Sequence, residues 1–501
     1  MKDESNNATT DDRRRGDEVS VLSVELLPEE TVVDIMSWRI IIVAAISLAT
    51  VSGWSLEAKA NRREAISKGF QYVGGIASAL ALPQIAHGQE NAIASSTSTS
   101  LLSEWDPLAY KSLPLAGRSV FPPPFLPPIN NRATYRYSLG RDSWALEQLI
   151  AFANVTATIR TNVVKMSSGG LWVCGPLWPT EEYCKLLDDL GEVTEVVLPV
   201  NALEHKAAMK QFVAKYPKSK VWIAPGQYGP FGECGAIKAG MSADEIEKVV
   251  HDASKTMGYR VDGILPIGHL SRDSAETVMP QNLLPSWIND DEFSVETLYV
   301  ELPENAGPVS ESAFFHKATN SLFVTDAVVC VPSTDFPIQP IFETYFDATT
   351  LSELSFWPRT VLQAVFLPLR AESSSTGTLQ YPGYQALANR LVRAPILRAF
   401  ADARAPNEVR AWVDSIVQND KFDRIVTAHF ASPINASPSL FAKAFEHLNE
   451  SATPESLSSA LPPISCQDWA TLESLNSFIG NNKLGAPVVY DYKAGCSYVN
   501  K

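Results

Sequence analysis

The chain has 501 residues, of which 45% are hydrophobic and 19% charged, so it can bury a large core and is not disordered throughout. Its formal net charge of −15 argues against a nucleic-acid partner, because an acidic chain does not neutralise phosphates. Six cysteines without a Cys-x-x-Cys pair exclude a disulfide scaffold and a zinc ribbon, and seven histidines leave few candidates for a metal site.

Residues 1–94 have the composition of a disordered leader followed by two targeting segments. An apolar run at Ile40–Val51 is short for a bilayer span and is typical of a secretory signal. Arg62 and Arg63 precede an Ala/Gly-rich stretch, a pattern that resembles a twin-arginine export signal. Two such segments in series resemble the leader of a protein of the thylakoid lumen in a complex plastid. We expect residues 1–94 to be removed, and the mature form to have peripheral or no membrane contact.

Two alternatives stay open for this leader. Translation begins at Met1 or at Met36, and in the first case the Ile40–Val51 run is also consistent with an internal anchor. The alternative for Arg62 and Arg63 is that they flank a buried helix by chance.

The rest of the chain divides into three parts by composition. Residues 95–134 are Ser/Thr-rich and then Pro-rich, which favours a stiff extended arm. Residues 135–450 carry the periodic patterns of a folded domain. Residues 451–501 form a Ser/Pro-rich tail, in which Cys466 and Cys496 either form a disulfide or stay as free thiols.

Strands alternate with helices along the folded part, which predicts an α/β layer fold. Thr180 is expected to cap the first helix, and Asn407 a later one. We expect His447 on the solvated face of a terminal helix. Strands are predicted at Ile159–Met166, Leu171–Cys174, Val193–Leu198, Lys220–Ala224, Ser312–His316, Ser321–Thr325 and Phe422–Val426. Further helices are predicted at Ala207–Lys215, Ala243–Thr256, Tyr381–Ala403 and Asn407–Gln418.

Ionisable side chains follow three of the predicted buried strands. Glu204 and His205 come after the first of these strands, Asp326 after the second and His429 after the third. Strand ends of α/β folds can converge on one crevice, and two imidazoles with two carboxylates suffice for a divalent metal. A structural interpretation is also open, in which the histidines are hydrogen-bonded loop residues and Asp326 caps a turn.

Several stretches together resemble the domain-of-unknown-function family 4336, a plastid and cyanobacterial branch of the metallo-β-lactamase superfamily. They include VVKMSSGGLWV, VLPVNALEHKAAMKQFVAKYP, VWIAPGQ, SAFFHKATNSLFVTDAVV and FDRIVTAHFASPI. The resemblance implies a four-layer αββα sandwich of metallo-β-lactamase type, with a metal site at one edge of the sheets.

The metal motif of the superfamily, His-x-His-x-Asp-His, is degenerate in this chain. Val200 and Ala202 stand where the first two histidines belong, and no histidine lies near residues 305–307, where the superfamily has its next one. The superfamily has two metal positions, and the first has lost its three histidines in this chain. The same correspondence keeps the residues of the second position, which are Glu204, His205, Asp326 and His429. The resemblance therefore implies a mononuclear centre for zinc, manganese or iron.

Two functions follow as expectations. The first is a metal-dependent hydrolase for a small-molecule ester, amide or phosphoester, in which Glu204 is the general base if it is not a ligand. The second is a non-catalytic binding or assembly factor in the thylakoid lumen, with a photosynthetic protein as its partner. In that case the four polar residues form a network that satisfies itself.

Overall fold

The computed structural model describes residues 132–152, 155–229, 232–301, 308–331, 340–352, 372–373, 379–380, 388–394, 397–453 and 456. The predicted leader and targeting segments, most of the arm, and most of the tail, including Cys466 and Cys496, lie outside the described residues. No helix within the described ranges has the length and apolar character needed to cross a membrane.

Strands of the described residues form two large sheets and three small pairs. Up to residue 264 they are β1 (Tyr135–Gly140), β2 (Ser143–Phe152), β3 (Val155–Lys165), β4 (Leu171–Cys174), β5 (Val193–Leu198), β6 (Lys220–Ile223), β7 (Tyr228–Gly229), β8 (Gly232–Glu233) and β9 (Gly263–Ile264). Sheet 1 has the order β1-β2-β3-β4-β5-β6-β9, and β7 pairs with β8. Strands β1 to β4 are antiparallel neighbours, whereas β4, β5, β6 and β9 run parallel.

Sheet 2 is built mainly from antiparallel strands. The remaining strands are β10 (Gly268–Leu270), β11 (Phe293–Val300), β12 (Val309–His316), β13 (Ser321–Phe323), β14 (Val329–Cys330), β15 (Glu372–Ser373), β16 (Leu379–Gln380), β17 (Leu391–Val392), β18 (Arg424–Val426) and β19 (Ile434–Asn435). Sheet 2 has the order β10-β11-β12-β13-β18-β19, and its β13–β18 pair is parallel. Because β13 and β18 run the same way, the loops that follow them leave from the same edge.

Helices join the parallel strands and cover the outer faces of the sheets. They are α1 (Glu181–Asp188), α2 (Leu203–Lys206), α3 (Met209–Lys215), α4 (Ala243–Met257), α5 (Ala275–Val278), α6 (Ser286–Asn289), α7 (Pro340–Glu343), α8 (Ala348–Ser352), α9 (Pro406–Asn419) and α10 (Pro438–Lys443). Short 3₁₀ turns occupy Gln281–Leu283, Lys317–Thr319 and Glu446–Leu448, and a π-helical turn occupies Arg398–Asp402.

Aromatic side chains join the inner faces of the two sheets. Trp172 on β4 of sheet 1 is fully buried and stacks on Phe293 of sheet 2, with 4.5 Å between the ring centroids. It also meets Phe314 of sheet 2 edge to face, at 5.2 Å. Such aromatic contacts add to the burial of apolar surface between the sheets.

Helices pack on both outer faces. On sheet 1, Tyr183 of α1 hydrogen-bonds Thr161 of β3 at 3.0 Å, and its ring lies against Phe212 of α3. On sheet 2, Trp412 of α9 donates its Nε1 hydrogen to the Glu296 carbonyl at 3.0 Å. The layers are therefore helix, sheet, sheet and helix, which confirms the predicted αββα sandwich of metallo-β-lactamase type.

Helix ends show where local sequence rules held. Thr180 caps α1 as predicted, because its Oγ1 accepts a hydrogen bond from the Tyr183 backbone N–H. Asn407 does not cap α9: that helix begins at Pro406 after Ala405, which makes no side-chain cap bond. Proline fits the first helical position because its missing N–H has no partner there in any case.

Two other predictions were wrong. Among the described residues of the range Tyr381–Ala403, Leu391–Val392 form β17 and pair with β14 instead of continuing a helix, and Arg398–Asp402 forms a π-helical turn. His447 is buried, and its Nε2 lies 2.9 Å from Asp402 Oδ2. The acidic sequence neighbours of His447 predict a solvated face. In the fold, His447 instead contacts Asp402, which lies 45 residues away in the sequence.

Candidate metal centre

The four candidate ligands lie at the edge where β5, β13 and β18 end. Asp326 follows β13 and His429 follows β18, so the parallel pairing of these strands brings both to one edge. Glu204 and His205 lie on the short helix α2, which follows β5. Between β5 and α2 the chain of sheet 1 meets sheet 2, since Val200 forms a β-bridge with Glu311.

The side chains of Glu204, His205, Asp326 and His429 converge, as predicted. Each offers one ligand atom, and these four atoms lie within 4.8 Å of one another. His429 Nε2 is 3.2 Å from His205 Nε2 and 3.2 Å from Asp326 Oδ1. His205 Nε2 is 3.9 Å from the same carboxylate oxygen. The role of these residues as metal ligands stays a prediction.

Strand β3 of sheet 1 fixes the orientation of His429. The Nδ1–H of His429 donates to the Thr158 carbonyl at 2.6 Å, so Nε2 is the nitrogen that faces the cluster. The Phe430 backbone N–H donates to Thr158 Oγ1 at 2.8 Å, and Phe430 has a φ of 54°, in the left-handed region. Arg160, paired with Glu147 inside the sheet, donates to the Phe430 carbonyl at 2.7 Å. These bonds hold a loop conformation that few non-glycine residues adopt.

His205 is fully buried and has a different environment. Its Nδ1 has no hydrogen-bond partner among the described residues, and the same is true of Asn162 Oδ1. Both residues line a cavity of about 10 Å³ behind the cluster. That is close to the volume that one water molecule needs.

Burial and neighbouring charges set the protonation of the cluster. Burial lowers the pKa of His205 to about 4, against the opposing effect of Asp326, so its imidazole is neutral at pH 7. Burial by itself raises the pKa of Asp326, but the hydrogen bond and charge of His429 outweigh it and hold this pKa below its usual value. Asp326 is therefore ionised. A neutral imidazole and an ionised carboxylate are the forms that bind metals.

Glu204 differs from the other three because the residue is exposed. Its carboxyl group nevertheless reaches the cluster, and loss of solvent around it together with the charge of Asp326 raises its pKa. A carboxylate with a raised pKa at the rim of a cluster is suited to exchange protons with water.

The donor set fits one divalent ion. Bonds of about 2.0–2.2 Å in tetrahedral geometry separate ligand atoms by about 3.4 Å, close to the 3.2–3.9 Å between His205, Asp326 and His429. His429 Nε2 faces both His205 Nε2 and Asp326 Oδ1, and a single hydrogen on His429 Nε2 can form a hydrogen bond to only one of them. A cation accepts lone pairs from all three. Imidazole and carboxylate suit zinc, manganese or iron.

Sequence reasoning missed the residues that support the ligands. Thr158 and Arg160 bind the His429 loop, and Glu311 binds the backbone around Asp326. The sequence signal for Glu311 is a carboxylate within the apolar strand of SESAFF, and Arg160 likewise lies within a β-branched strand. Buried charges in strands of this kind are costly unless they are paired.

Fold and cluster define a metallo-β-lactamase-like protein with a potential metal-binding site. The sequence matches the family described as Domain of unknown function (DUF4336) over residues 141–262 and 342–447. The resemblance seen in the sequence is thereby confirmed. A comparison with curated proteins gives no match.

Solved structures with detectable similarity include metallo-β-lactamases. The chain is 7% identical to a metallo-β-lactamase from Hirschia baltica, with a TM-score of 0.30, covering 63% of this chain and 97% of that one. The chain is 10% identical to a fragment of the putative diflavin flavoprotein A 5 from Nostoc sp. PCC 7120, with a TM-score of 0.31. The match covers 63% of this chain and 95% of that one. The chain is 9% identical to a metallo-β-lactamase from Pontibacter korlensis, with a TM-score of 0.30. The match covers 63% of this chain and 99% of that one. We assign the fold from sheet order and packing, since TM-scores this low carry no weight.

Proposed function

We propose that the protein is a hydrolase that uses one divalent metal ion, bound by His205, Asp326 and His429. The observation that carries the proposal is the 3.2–3.9 Å spacing of their three donor atoms. Catalytic metal sites commonly have three protein ligands and keep one position open. Two imidazoles and one carboxylate are such a set. Burial by itself lowers the pKa of His429, but Asp326 outweighs it and raises this pKa, so a bound ion would have to displace a proton from His429 Nε2.

Glu204 is the general base in this proposal. It is the exposed residue of the cluster, and its carboxyl group lies beside the other three ligand atoms. A bound divalent ion supplies Lewis-acid polarisation of an acceptor oxygen and lowers the pKa of water towards about 7. The Glu204 carboxylate then takes a proton from the attacking water and returns it to the leaving group. The proposed substrate is a small-molecule ester or phosphoester.

Metal analysis combined with hydrolysis assays tests the proposal. Protein purified without added metal is expected to contain about one zinc, manganese or iron ion per chain. It should hydrolyse 4-nitrophenyl acetate or a 4-nitrophenyl phosphate diester, lose this activity in chelator, and regain it with added metal. The His269→Ala variant is the matched control, because His269 pairs with Glu296 outside the cluster. Metal-free protein that takes up no added ion would refute the proposal.

A second candidate is a non-catalytic binding or assembly factor of the thylakoid lumen with a photosynthetic protein partner. One observation favours it: His429 donates to Thr158 and forms an ion pair with Asp326, so this pair is satisfied without a metal. Cross-linking in isolated thylakoids, followed by identification of the captured protein, tests this candidate. It takes the lead if the purified protein binds no metal and captures one specific partner. It fails if the protein is absent from the lumen fraction.

A further inference from the structure

Glu311 on β12 binds three successive backbone N–H groups of the loop that carries Asp326. Its Oε1 accepts from the N–H groups of Thr325 at 2.8 Å, Asp326 at 3.0 Å and Ala327 at 2.9 Å. Glu311 itself is only 4% exposed. One buried carboxylate oxygen thus fixes the backbone on both sides of Asp326, as an anion does when bound to a concave array of backbone N–H groups.

The carbonyl side of the same loop is held from a different part of the chain. Arg393 Nη1 donates to the Ala327 carbonyl at 3.0 Å. The guanidinium is in turn paired with Asp402 at 2.8 Å, and Asp402 Oδ2 lies 2.9 Å from His447 Nε2. The Asp326 loop is therefore bound through both its donors and its acceptors, which restricts where the Asp326 carboxylate can lie.

Charge makes this arrangement unfavourable for a loop with a purely structural task. Glu311 places a second carboxylate beside Asp326, and like charges in a buried site repel. A neutral amide would accept weaker bonds from the same N–H groups, but without that repulsion. Arg393 offsets part of the negative charge of Glu311 and Asp326, and a divalent ion at the cluster would offset more of it.

We propose that Glu311 is a positioning residue for metal binding: it holds the backbone of residues 325–327 so that Asp326 Oδ1 faces His205 and His429. The inference rests on the proposed function, since a cation at the cluster is what the positioned carboxylate would bind. Loss of residues that orient metal ligands typically weakens metal affinity about 10–100-fold.

The Glu311→Gln variant tests this role with zinc as the probe. Glutamine has the shape of glutamate but lacks its charge, so the loop should be held less firmly. We expect the zinc affinity, measured by competition with a chromogenic chelator, to fall about 10–100-fold. Glu195→Gln is the matched control, because Glu195 is also a buried carboxylate and binds Trp222 and Ser286 away from the cluster. Glu195→Gln should have a lower melting temperature than wild type both with and without zinc, and its affinity for zinc should equal that of wild type.

Amide hydrogen exchange in the presence of chelator gives a second, metal-independent measurement. The amides of Thr325, Asp326 and Ala327 should exchange at least about ten-fold faster in Glu311→Gln than in wild type, because their acceptor is weaker. Wild-type zinc affinity in Glu311→Gln would overturn the positioning role and leave the proposed function standing. Wild type that binds no zinc would instead refute the proposed function, and the positioning role with it.

Discussion

His429 donates its Nδ1 hydrogen to the carbonyl of Thr158, a residue of the other sheet. This bond determines which nitrogen of His429 faces Asp326 and His205. Orientation by a carbonyl is common for metal-binding histidines, since it fixes the tautomer and the ring plane. The candidate centre therefore depends on contact between the two sheets as well as on its own four residues.

Replacing His429 with alanine should abolish the metal-dependent rise in melting temperature. One imidazole and the carboxylates hold zinc less well than two imidazoles do, and an ion that binds only the folded state stabilises it by mass action. The measurement is the melting temperature of wild type and His429→Ala, each with chelator and with zinc. If His429 is only a hydrogen-bonded loop residue, the free energy of unfolding of the variant falls by about 1–3 kcal/mol both with chelator and with zinc.

The Glu204→Gln variant separates a general base from a ligand. If Glu204 is the base, the variant should keep its metal and lose about 10²–10⁴-fold in kcat. Elemental analysis and the ester assay are made on the same preparation. Loss of the metal together with the activity would show that Glu204 is a ligand instead.

Replacing Arg160 with methionine should strongly destabilise the protein. Arg160 and Glu147 form a fully buried ion pair, and removing one partner leaves an uncompensated charge, which costs about 3–5 kcal/mol. The carbonyl of Phe430 also loses a donor. Urea denaturation measures the change in the free energy of unfolding. A change below about 1 kcal/mol would contradict this account of the pair.

Asp420 should make the protein less stable as the pH rises. Burial raises its pKa to about 6, although the hydroxyl of Ser294 donates to it and opposes the rise. A carboxyl whose folded pKa exceeds its unfolded value of about 3.9 loses stability as the pH rises from about 4 through 6. Asp420→Asn should therefore be more stable than wild type at pH 8, by roughly 1–3 kcal/mol, and about equal at pH 4. Equal differences at both pH values would contradict the prediction.

The native protein should begin after residue 94, because both apolar segments of the leader have the architecture of targeting signals. N-terminal sequencing of protein isolated from its source decides this. A mature N-terminus at or before Met36 would remove the prediction.

Local sequence patterns predicted much of sheet 1 and its helices. The β-branched run of β5 and the cap at Thr180 depend on neighbouring residues, so they can be recognised in the sequence. The four-residue cluster was found because each member follows a strand and corresponds to a position in a known family. Its convergence is a property of strand order, which the family resemblance supplied.

Long-range polar contacts could not be predicted in the same way. Arg393 reaches Ala327 and Arg160 reaches Phe430 across large sequence distances, and neither contact has a local sequence signature. The strand at Leu391–Val392 was missed for a related reason. Its pairing with β14 is a tertiary contact that overrides the helical spacing of the sequence.

The ring of Trp172 packs between the two sheets of the sandwich. His205 is carried by the sheet that contains this tryptophan, whereas Asp326 and His429 are carried by the sheet of Phe293 and Phe314. The aromatic contacts of Trp172 therefore join the two sheets whose strands lead to the candidate ligands. A smaller side chain at position 172 would remove contacts between the sheets, so a substitution deep in the core could alter the spacing of His205 relative to Asp326 and His429 as well as lower the stability of the core.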